Sequence, residues 1–136
     1  MDLDEARAVV RDQHHAVLAT MRSDGTPQMS PVAAGVDGAG CIVVSSRETA
    51  YKVRNLRRDP RAWLCVLSDE FYGRWVQLEG RVEVLSLPDA LPALEDYYRG
   101  VSGEHPDWDD YREAMRRERR VLVRMELTRA GPDRSG

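Results

Sequence analysis

The chain of 136 residues is poor in the side chains that most often carry out catalysis. It has three histidines, and none of them stands in a serine–histidine–aspartate or cysteine–histidine arrangement with supporting context. The two cysteines, Cys41 and Cys65, form no CxxC pair and fall in apolar strands, so we interpret them as reduced core thiols. The sequence therefore predicts no protein nucleophile and no metal site, and an enzyme of this kind would take its chemistry from a cofactor.

Long apolar segments and a positive net charge are also absent. No apolar run approaches the roughly 20 residues that a membrane-spanning helix requires, and residues 1–5 are acidic where a secretory signal would be basic. The net charge of −3 argues against nucleic acid as the main partner. We therefore expect a cytoplasmic protein that acts on a small molecule, with neither a membrane nor a nucleic-acid partner.

Lysine is the scarcest charged residue, since Lys52 stands alone against 19 arginines. Two serines, Ser45 and Ser46, end an apolar run before it, and Thr49 is placed to cap a helix that has Lys52 in its first turn. Free backbone N–H groups, the helix dipole, two hydroxyls and a compact ammonium would converge there on a phosphate. A solvated basic helix face is the alternative, and the spacing alone does not choose between them.

The hydrophobic periodicity predicts a mainly β protein of one domain over residues 1–130, followed by a disordered tail at residues 131–136. Pro31 predicts an edge strand or a bulge, and the apolar strand at residues 62–67 is expected to be covered on both faces. Asp107 is expected to cap a helix rather than to bind a metal. Six strands are predicted at residues 14–21, 28–36, 41–45, 62–67, 75–84 and 121–127, with helices at residues 3–13, 49–59, 89–100 and 107–119.

Several sequence blocks resemble one known family. Residues 45–61, SSRETAYKVRNLRRDPR, are similar to the cofactor-phosphate signature of the pyridoxamine-phosphate-oxidase-like split barrels, in particular the actinobacterial branch proposed to use the deazaflavin coenzyme F420. The blocks AVLAT at 16–20, DGTPQ at 24–28, RWVQLEG at 74–80 and GEHPDWDDY at 103–111 agree with that family. The end of the chain, RMELTRAGP at 124–132, lacks the substrate motif of true pyridoxamine-phosphate oxidases, so vitamin B6 oxidation is not expected.

The resemblance implies a six-stranded antiparallel split β-barrel of Greek-key type with peripheral helices, which forms a homodimer with its sites at the subunit interface. In it the serines, Arg47 and Lys52 hold the cofactor phosphate, Gln28 bonds the heterocycle edge, and Arg74 and Trp75 come from the second subunit. The cofactor-binding residues implied in this way are Gln28, Ser45, Ser46, Arg47, Tyr51, Lys52, Arg54, Asn55, Arg74 and Trp75.

The expected activity is an F420-dependent hydride transfer to a small conjugated or quinone-like substrate. An FMN-dependent oxidoreductase and a non-catalytic carrier or stress protein that binds F420 or FMN are the alternatives. Arg57, Arg58 and Arg61 favour F420 over FMN because the oligoglutamate tail of F420 would use their charge. The same arginines could instead be solvated or pair with Asp59, Glu48 and Asp69.

Overall fold

The computed structural model describes residues 1–135, and within them one antiparallel sheet curls into a half-open barrel that carries peripheral helices. Its strands are β1 (His15–Met21), β2 (Pro27–Ala33), β3 (Gly35–Val36), β4 (Ile42–Arg47), β5 (Arg61–Val66), β6 (Arg74–Leu85) and β7 (Arg120–Ser135). The helices are α1 (Leu3–Asp12), α2 (Tyr51–Arg58), α3 (Leu91–Ser102) and α4 (Trp108–Arg117). The predicted mainly β split-barrel class is confirmed.

The strands follow the order β2-β1-β5-β6-β7-β4-β3, and their alternate residues fill the barrel. In β6 the predicted alternation is confirmed, because Val76 and Leu78 are fully buried while Trp75 and Gln77 face outward and are half-exposed. The main core also includes Val10, Leu18, Ile42, Val53, Leu64, Val66, Val121, Val123 and Met125. No helix among residues 1–135 is long and apolar enough to cross a membrane.

One predicted strand is in fact two, and the break leaves the barrel open. β2 pairs only with β1 at one edge of the sheet, and after the buried Ala34 the chain continues as β3, which pairs with β4 at the other edge. The chain thus crosses from one edge to the other, and β2 and β4 stay unpaired beside each other. Pro31 lies in β2, so the predicted edge position is confirmed.

The outer face of β5 is less covered than its apolar sequence suggests. Ala62, Leu64 and Val66 are buried inside the barrel, but Trp63 and Cys65 on the other face remain half-exposed. The prediction that this strand is covered on both faces is therefore wrong for the single chain. Among residues 1–135, no helix packs closely against β5.

Helices α3 and α4 form a second core against the outer face of β4 and β7. Val43 and Leu122 from the sheet meet Leu94, Tyr111 and Met115 from the helices. The predicted cap of α4 is confirmed, since the Asp107 carboxylate accepts a hydrogen bond from the backbone N–H of Asp110 at 3.1 Å.

The predicted disordered tail is wrong for residues 131–135. β7 continues to Ser135, and its last residues pair with the start of β6, with Trp75 opposite Arg134. The Arg74 guanidinium also bonds both carboxylate oxygens of Asp133 at 2.8 Å. This bidentate ion pair and the backbone ladder together order a segment whose glycine and proline suggested a loop. Gly136 lies outside the described residues.

Candidate cofactor groove

An open groove of about 420 Å³ lies where β2 and β4 fail to pair, below the N-terminus of α2. It is called the Lys52 groove here. Its lining residues are Pro31, Val32, Ala33, Ser45, Ser46, Arg47, Ala50, Lys52 and Arg120. Four predicted phosphate-binding residues, the two serines with Arg47 and Lys52, are thus brought together around one space.

The helix start beside the groove has no side-chain cap. Ala50 is the N-cap residue of α2, so the prediction that Thr49 caps the helix is wrong. Ala50 has an extended backbone and no side-chain oxygen that could accept a hydrogen bond from the first turn. The Val53 N–H donates to the Ala50 carbonyl at 3.1 Å, which leaves the N–H groups of Tyr51 and Lys52 free. Those N–H groups, at the positive end of the helix dipole, remain available to an anion.

The Lys52 ammonium is half-buried and lacks a negative partner. Its Nζ donates a hydrogen bond to the Ser30 hydroxyl at 3.2 Å. Within residues 1–135, no carboxylate oxygen lies within 4.0 Å of this nitrogen. Burial, and secondarily the nearby Arg120 guanidinium, lower the pKa of Lys52 below its usual 10.5. An ammonium that loses hydration without gaining a countercharge favours the binding of an anion.

Two arginines at the groove share a single carboxylate. Arg47 and Arg120 face each other across the β4–β7 ladder. Both contact Glu118, from Arg120 Nη2 at 2.8 Å and from Arg47 Nη2 at 3.4 Å. With Lys52 the groove therefore holds three cations against one carboxylate. Sequence reasoning missed Arg120, because only the strand register places it opposite Arg47.

The two serines both line the groove, although neighbouring residues of a strand alternate between its faces. The expected convergence of both hydroxyls on a phosphate stays a prediction. Ser46 is buried, and its Oγ has a long contact of 3.4 Å to the carbonyl oxygen of Arg47.

Tyr97 connects the two sides of the split. Its hydroxyl donates a hydrogen bond to the Ala33 carbonyl at 2.7 Å, at the end of β2. Burial raises the pKa of Tyr97, while a backbone hydrogen bond from Ser45 in β4 opposes that change. Its ring packs against the second core and also lines a neighbouring cavity.

Gln28 carries an unused acceptor. Its Oε1 is buried and has no hydrogen-bond partner among the described residues, while its Nε2 donates to the Met29 carbonyl at 3.2 Å. Gln28 lies on the same face of β2 as Ser30, the partner of Lys52, roughly 7 Å along the strand. A buried acceptor without a donor matches the ring N–H of a flavin or deazaflavin.

An apolar depression of about 370 Å³ adjoins the groove. It shares Pro31, Val32 and Ala33 with the Lys52 groove, and its remaining lining residues are His15, Ala16, Val17 and Leu67. A cationic pocket, an apolar surface and an orphaned acceptor on one edge strand fit a phosphorylated heterocycle of the FMN or F420 type.

Three other predicted residues do not line the groove. Asn55 is buried in the barrel, where its Nδ2 donates to the Thr20 hydroxyl at 3.0 Å and its Oδ1 accepts from Arg58 at 3.0 Å. Its amide therefore holds α2 against β1. Tyr51 and Arg54 project from the exposed side of α2.

Arg74 and Trp75 lie far from Lys52 within one chain. The β7 partner of Trp75 is Arg134, whereas the β7 partner of Arg47 in the groove is Arg120. These positions are at opposite ends of β7, roughly 45 Å apart along the contour of the strand. Within the single chain Arg74 and Trp75 therefore do not line the Lys52 groove.

The arginines expected to bind a cofactor tail are already bonded. Arg57 Nη2 contacts both oxygens of Glu48 at 2.8 Å, and Arg61 contacts Asp59 at 2.7 Å. The hydrogen bonds from Arg61 lower the pKa of Asp59 to about 2. Arg58 donates to the Met21 carbonyl at 2.8 Å. The alternative of internal pairing is confirmed for Glu48 and Asp59, but the expected partner Asp69 instead lies 3.4 Å from His15.

A curled antiparallel sheet that stays open beside a cationic helix start defines a split β-barrel of the cofactor-binding kind. The family model described as pyridoxamine 5'-phosphate oxidase matches residues 3–131, and the chain belongs to this family. The family predicted from the sequence is confirmed.

Known relatives agree with this assignment. The chain is 31% identical over 127 residues to an F420H(2)-dependent biliverdin reductase of Mycobacterium tuberculosis (strain CDC 1551 / Oshkosh), which covers 93% of this chain and 84% of the relative. It resembles the crystal structure of a conserved hypothetical protein from Mycobacterium tuberculosis at 27% identity with a TM-score of 0.76, covering 96% of this chain and 82% of that one. A structure described as an F420 reductase has the same fold, at 23% identity and a TM-score of 0.67, with 92% and 94% covered.

Proposed function

We propose that this protein is an F420-dependent oxidoreductase that transfers hydride to a small conjugated or quinone-like substrate. The observation that carries the proposal is the uncompensated, half-buried ammonium of Lys52 at an uncapped helix start. The relative of 31% identity that uses F420H(2) supports the choice of coenzyme. FMN, whose phosphate and ring edge would use the same groups, is the alternative.

Each residue of the groove has a binding or orienting role. Lys52, Arg47 and Arg120 neutralise the phosphate, and the first-turn N–H groups of α2 bond its oxygens. Gln28 Oε1 accepts the ring N–H and thereby fixes which edge of the heterocycle enters the groove. When bound, the reduced deazaflavin supplies the hydride. The apolar surface at Val17, Pro31 and Leu67 keeps water from the ring.

The second subunit completes the site in this proposal. Trp63 and Cys65 leave an apolar face of β5 half-exposed, and Trp75 extends that face onto β6. Two copies that pair through these strands bury more than about 2,000 Å², as obligate dimers do. Arg74 and Trp75 of one copy then reach the groove of the other. Sedimentation at micromolar concentration should show a dimer, and a stable folded monomer would contradict this arrangement.

Differential binding and turnover test the function itself. F420 and FMN are titrated separately into the apo-protein and followed by their different fluorescence, and tighter binding of F420 is expected. Reduced F420 is then offered enones, quinones and tetrapyrroles, including biliverdin, the substrate named for the relative. Coenzyme that binds but is never oxidised faster than in buffer would favour the carrier alternative. Tighter binding of FMN would favour the flavin alternative.

A further inference from the structure

A second cavity, of about 520 Å³, lies beside the Lys52 groove. It is formed by the segment after β6, the end of α4 and the turn into β7. Its lining residues are Glu48, Ser86, Leu87, Pro88, Leu91, Arg116, Arg119, Arg120 and Val121. It is called the Arg116 pocket here. The proposed function does not use it.

The Arg116 pocket has more positive than negative charge. The guanidinium groups of Arg116 and Arg119 make no ion pair within the part of the chain that the structure describes. The carboxylate of Glu48 in the lining is already held by both contacts from Arg57 at 2.8 Å. Glu118, which bonds Arg120, is likewise occupied. Two arginines therefore face the cavity without an internal countercharge.

The two arginines lie at the C-terminal end of α4 and in the turn that follows it. Arg119 has a φ of 52°, in the left-handed region, where residues other than glycine are uncommon. Its carbonyl oxygen accepts a hydrogen bond from the Glu48 N–H at 2.9 Å, and its own N–H bonds the Arg116 carbonyl at 3.2 Å. Arg119 directly follows the C-cap residue Glu118, a position at which many helices end in this conformation, so the end of α4 fixes the backbone that carries both arginines.

The pocket and the groove adjoin each other. Arg120 lines both spaces, and Glu48 in the pocket directly follows Arg47 in the groove. A ligand anchored at Lys52 can therefore extend past Arg120 to Arg116. The other side of the pocket is apolar, with Leu87, Leu91 and Val121, so its lining suits a ligand that combines hydrocarbon with negative charge.

We infer that the Arg116 pocket is a second anion subsite, in which Arg116 and Arg119 bind carboxylates of a ligand that also reaches the Lys52 groove. This inference rests on the proposed function. Two sources can provide the carboxylates, namely the oligoglutamate tail of F420 and acidic side chains on the substrate. Guanidinium groups bind carboxylates through paired hydrogen bonds in either case.

Binding measurements on charge-neutral variants test the inference without relying on turnover. Arg116→Gln, Arg119→Gln and the double variant remove the charge and retain a long polar side chain. Arg117→Gln is the matched control, because Arg117 is an exposed arginine of the same helix that does not line the pocket. The probes are F420 with one or several glutamates, FMN, biliverdin and biliverdin dimethyl ester, which lacks the free carboxylates.

The double variant is expected to bind the carboxylate ligand about tenfold more weakly than wild type, with a smaller salt dependence. FMN affinity should not change, which also shows that the variant is folded. A loss seen only with long-tailed F420 supports the subsite and assigns it to the coenzyme tail. A loss seen with biliverdin but not with its diester supports the subsite and assigns it to the substrate.

Affinities equal to those of Arg117→Gln for every probe would overturn the inference. Wild-type protein that bound neither F420 nor FMN would overturn the proposed function instead. In that event the comparison of biliverdin with its diester would still decide for or against the pocket.

Discussion

The two ends of helix α2 carry similar charge but differ in how that charge is balanced. At the C-terminal end Arg57 bonds the Glu48 carboxylate, and just beyond it Arg61, the first residue of β5, bonds Asp59. At the N-terminal end, Lys52 has only the Ser30 hydroxyl, and burial lowers the pKa of its ammonium. The arginines at one end are already paired and contribute to the fold, whereas Lys52 at the other end keeps its charge for the anionic coenzyme in the proposed function.

The largest effect that can break this comparison is expected from Lys52→Ala. Loss of a charge-assisted contact to phosphate should weaken coenzyme binding by about 1.5–3 kcal/mol, roughly ten- to a hundredfold. Lys52→Arg should recover part of the affinity, because a planar guanidinium replaces a compact ammonium. Fluorescence titration of F420 and FMN at low and high salt measures both.

Arg61→Gln is the matched control just beyond the other end of the helix, and its coenzyme affinity should equal that of wild type, since Arg61 pairs with Asp59. Wild-type affinity in Lys52→Ala for both coenzymes would remove the phosphate site. Equal losses in Lys52→Ala and Arg61→Gln would show that the two ends do not differ.

Asn55→Ala sharpens the comparison, because it should change the stability of the fold without changing coenzyme binding. The substitution leaves the fully buried Thr20 hydroxyl without its amide partner, so the free energy of unfolding should fall by about 1–3 kcal/mol. Urea denaturation measures the loss. The folded variant should keep its coenzyme affinity, and reduced affinity with unchanged stability would return Asn55 to the cofactor site.

Gln28→Ala should have a smaller effect, of the opposite kind. One neutral hydrogen bond to the ring contributes about 0.5–1.5 kcal/mol to coenzyme binding. Stability of the apo-protein should change little, because the buried Oε1 has no partner to lose and the only bond lost is the exposed one from Nε2 to the Met29 carbonyl. Titration and denaturation of the same preparation test both statements. Unchanged affinity together with unchanged turnover would remove Gln28 from the site.

The smallest expected effect is on pH dependence: near the pKa of Lys52, stability and coenzyme affinity should change with pH in opposite directions. Because the pKa of folded Lys52 lies below its usual 10.5, the unfolded chain binds more protons just below that pH, and stability should rise with pH there. Coenzyme affinity should fall over the same range, since phosphate binding requires the ammonium. Both slopes are measured relative to Lys52→Met, and a wild-type affinity that does not fall more than that of the variant would contradict the assignment.

Local patterns were sufficient for much of this molecule. The alternation in β6 predicted which side chains fill the barrel, and Pro31 predicted an edge strand, because each depends on the geometry of one strand. The scarcity of lysine directed attention to Lys52. These features need no knowledge of distant residues.

Features that depend on distant partners were not predictable in this way. Arg120 enters the groove only through its register with Arg47, and the tail is ordered only by the pairing of Arg74 with Asp133. The carboxylate partners of Arg57 and Arg61 were considered, but the sequence could not choose between pairing and a ligand. Thr49 had the chemistry of a cap, yet the turn after β4 placed Ala50 at that position.

The length of β7 has a genetic consequence. In the proposed dimer Lys52 and Arg74 of one site come from different copies, so a subunit with Lys52 replaced and a subunit with Arg74 replaced each retain the half of the site that the other lacks. Pure dimers of either variant would bind the coenzyme weakly at both sites. Coexpressed, they would form mixed dimers in which one of the two sites is intact, so about a quarter of all sites would recover by intersubunit complementation.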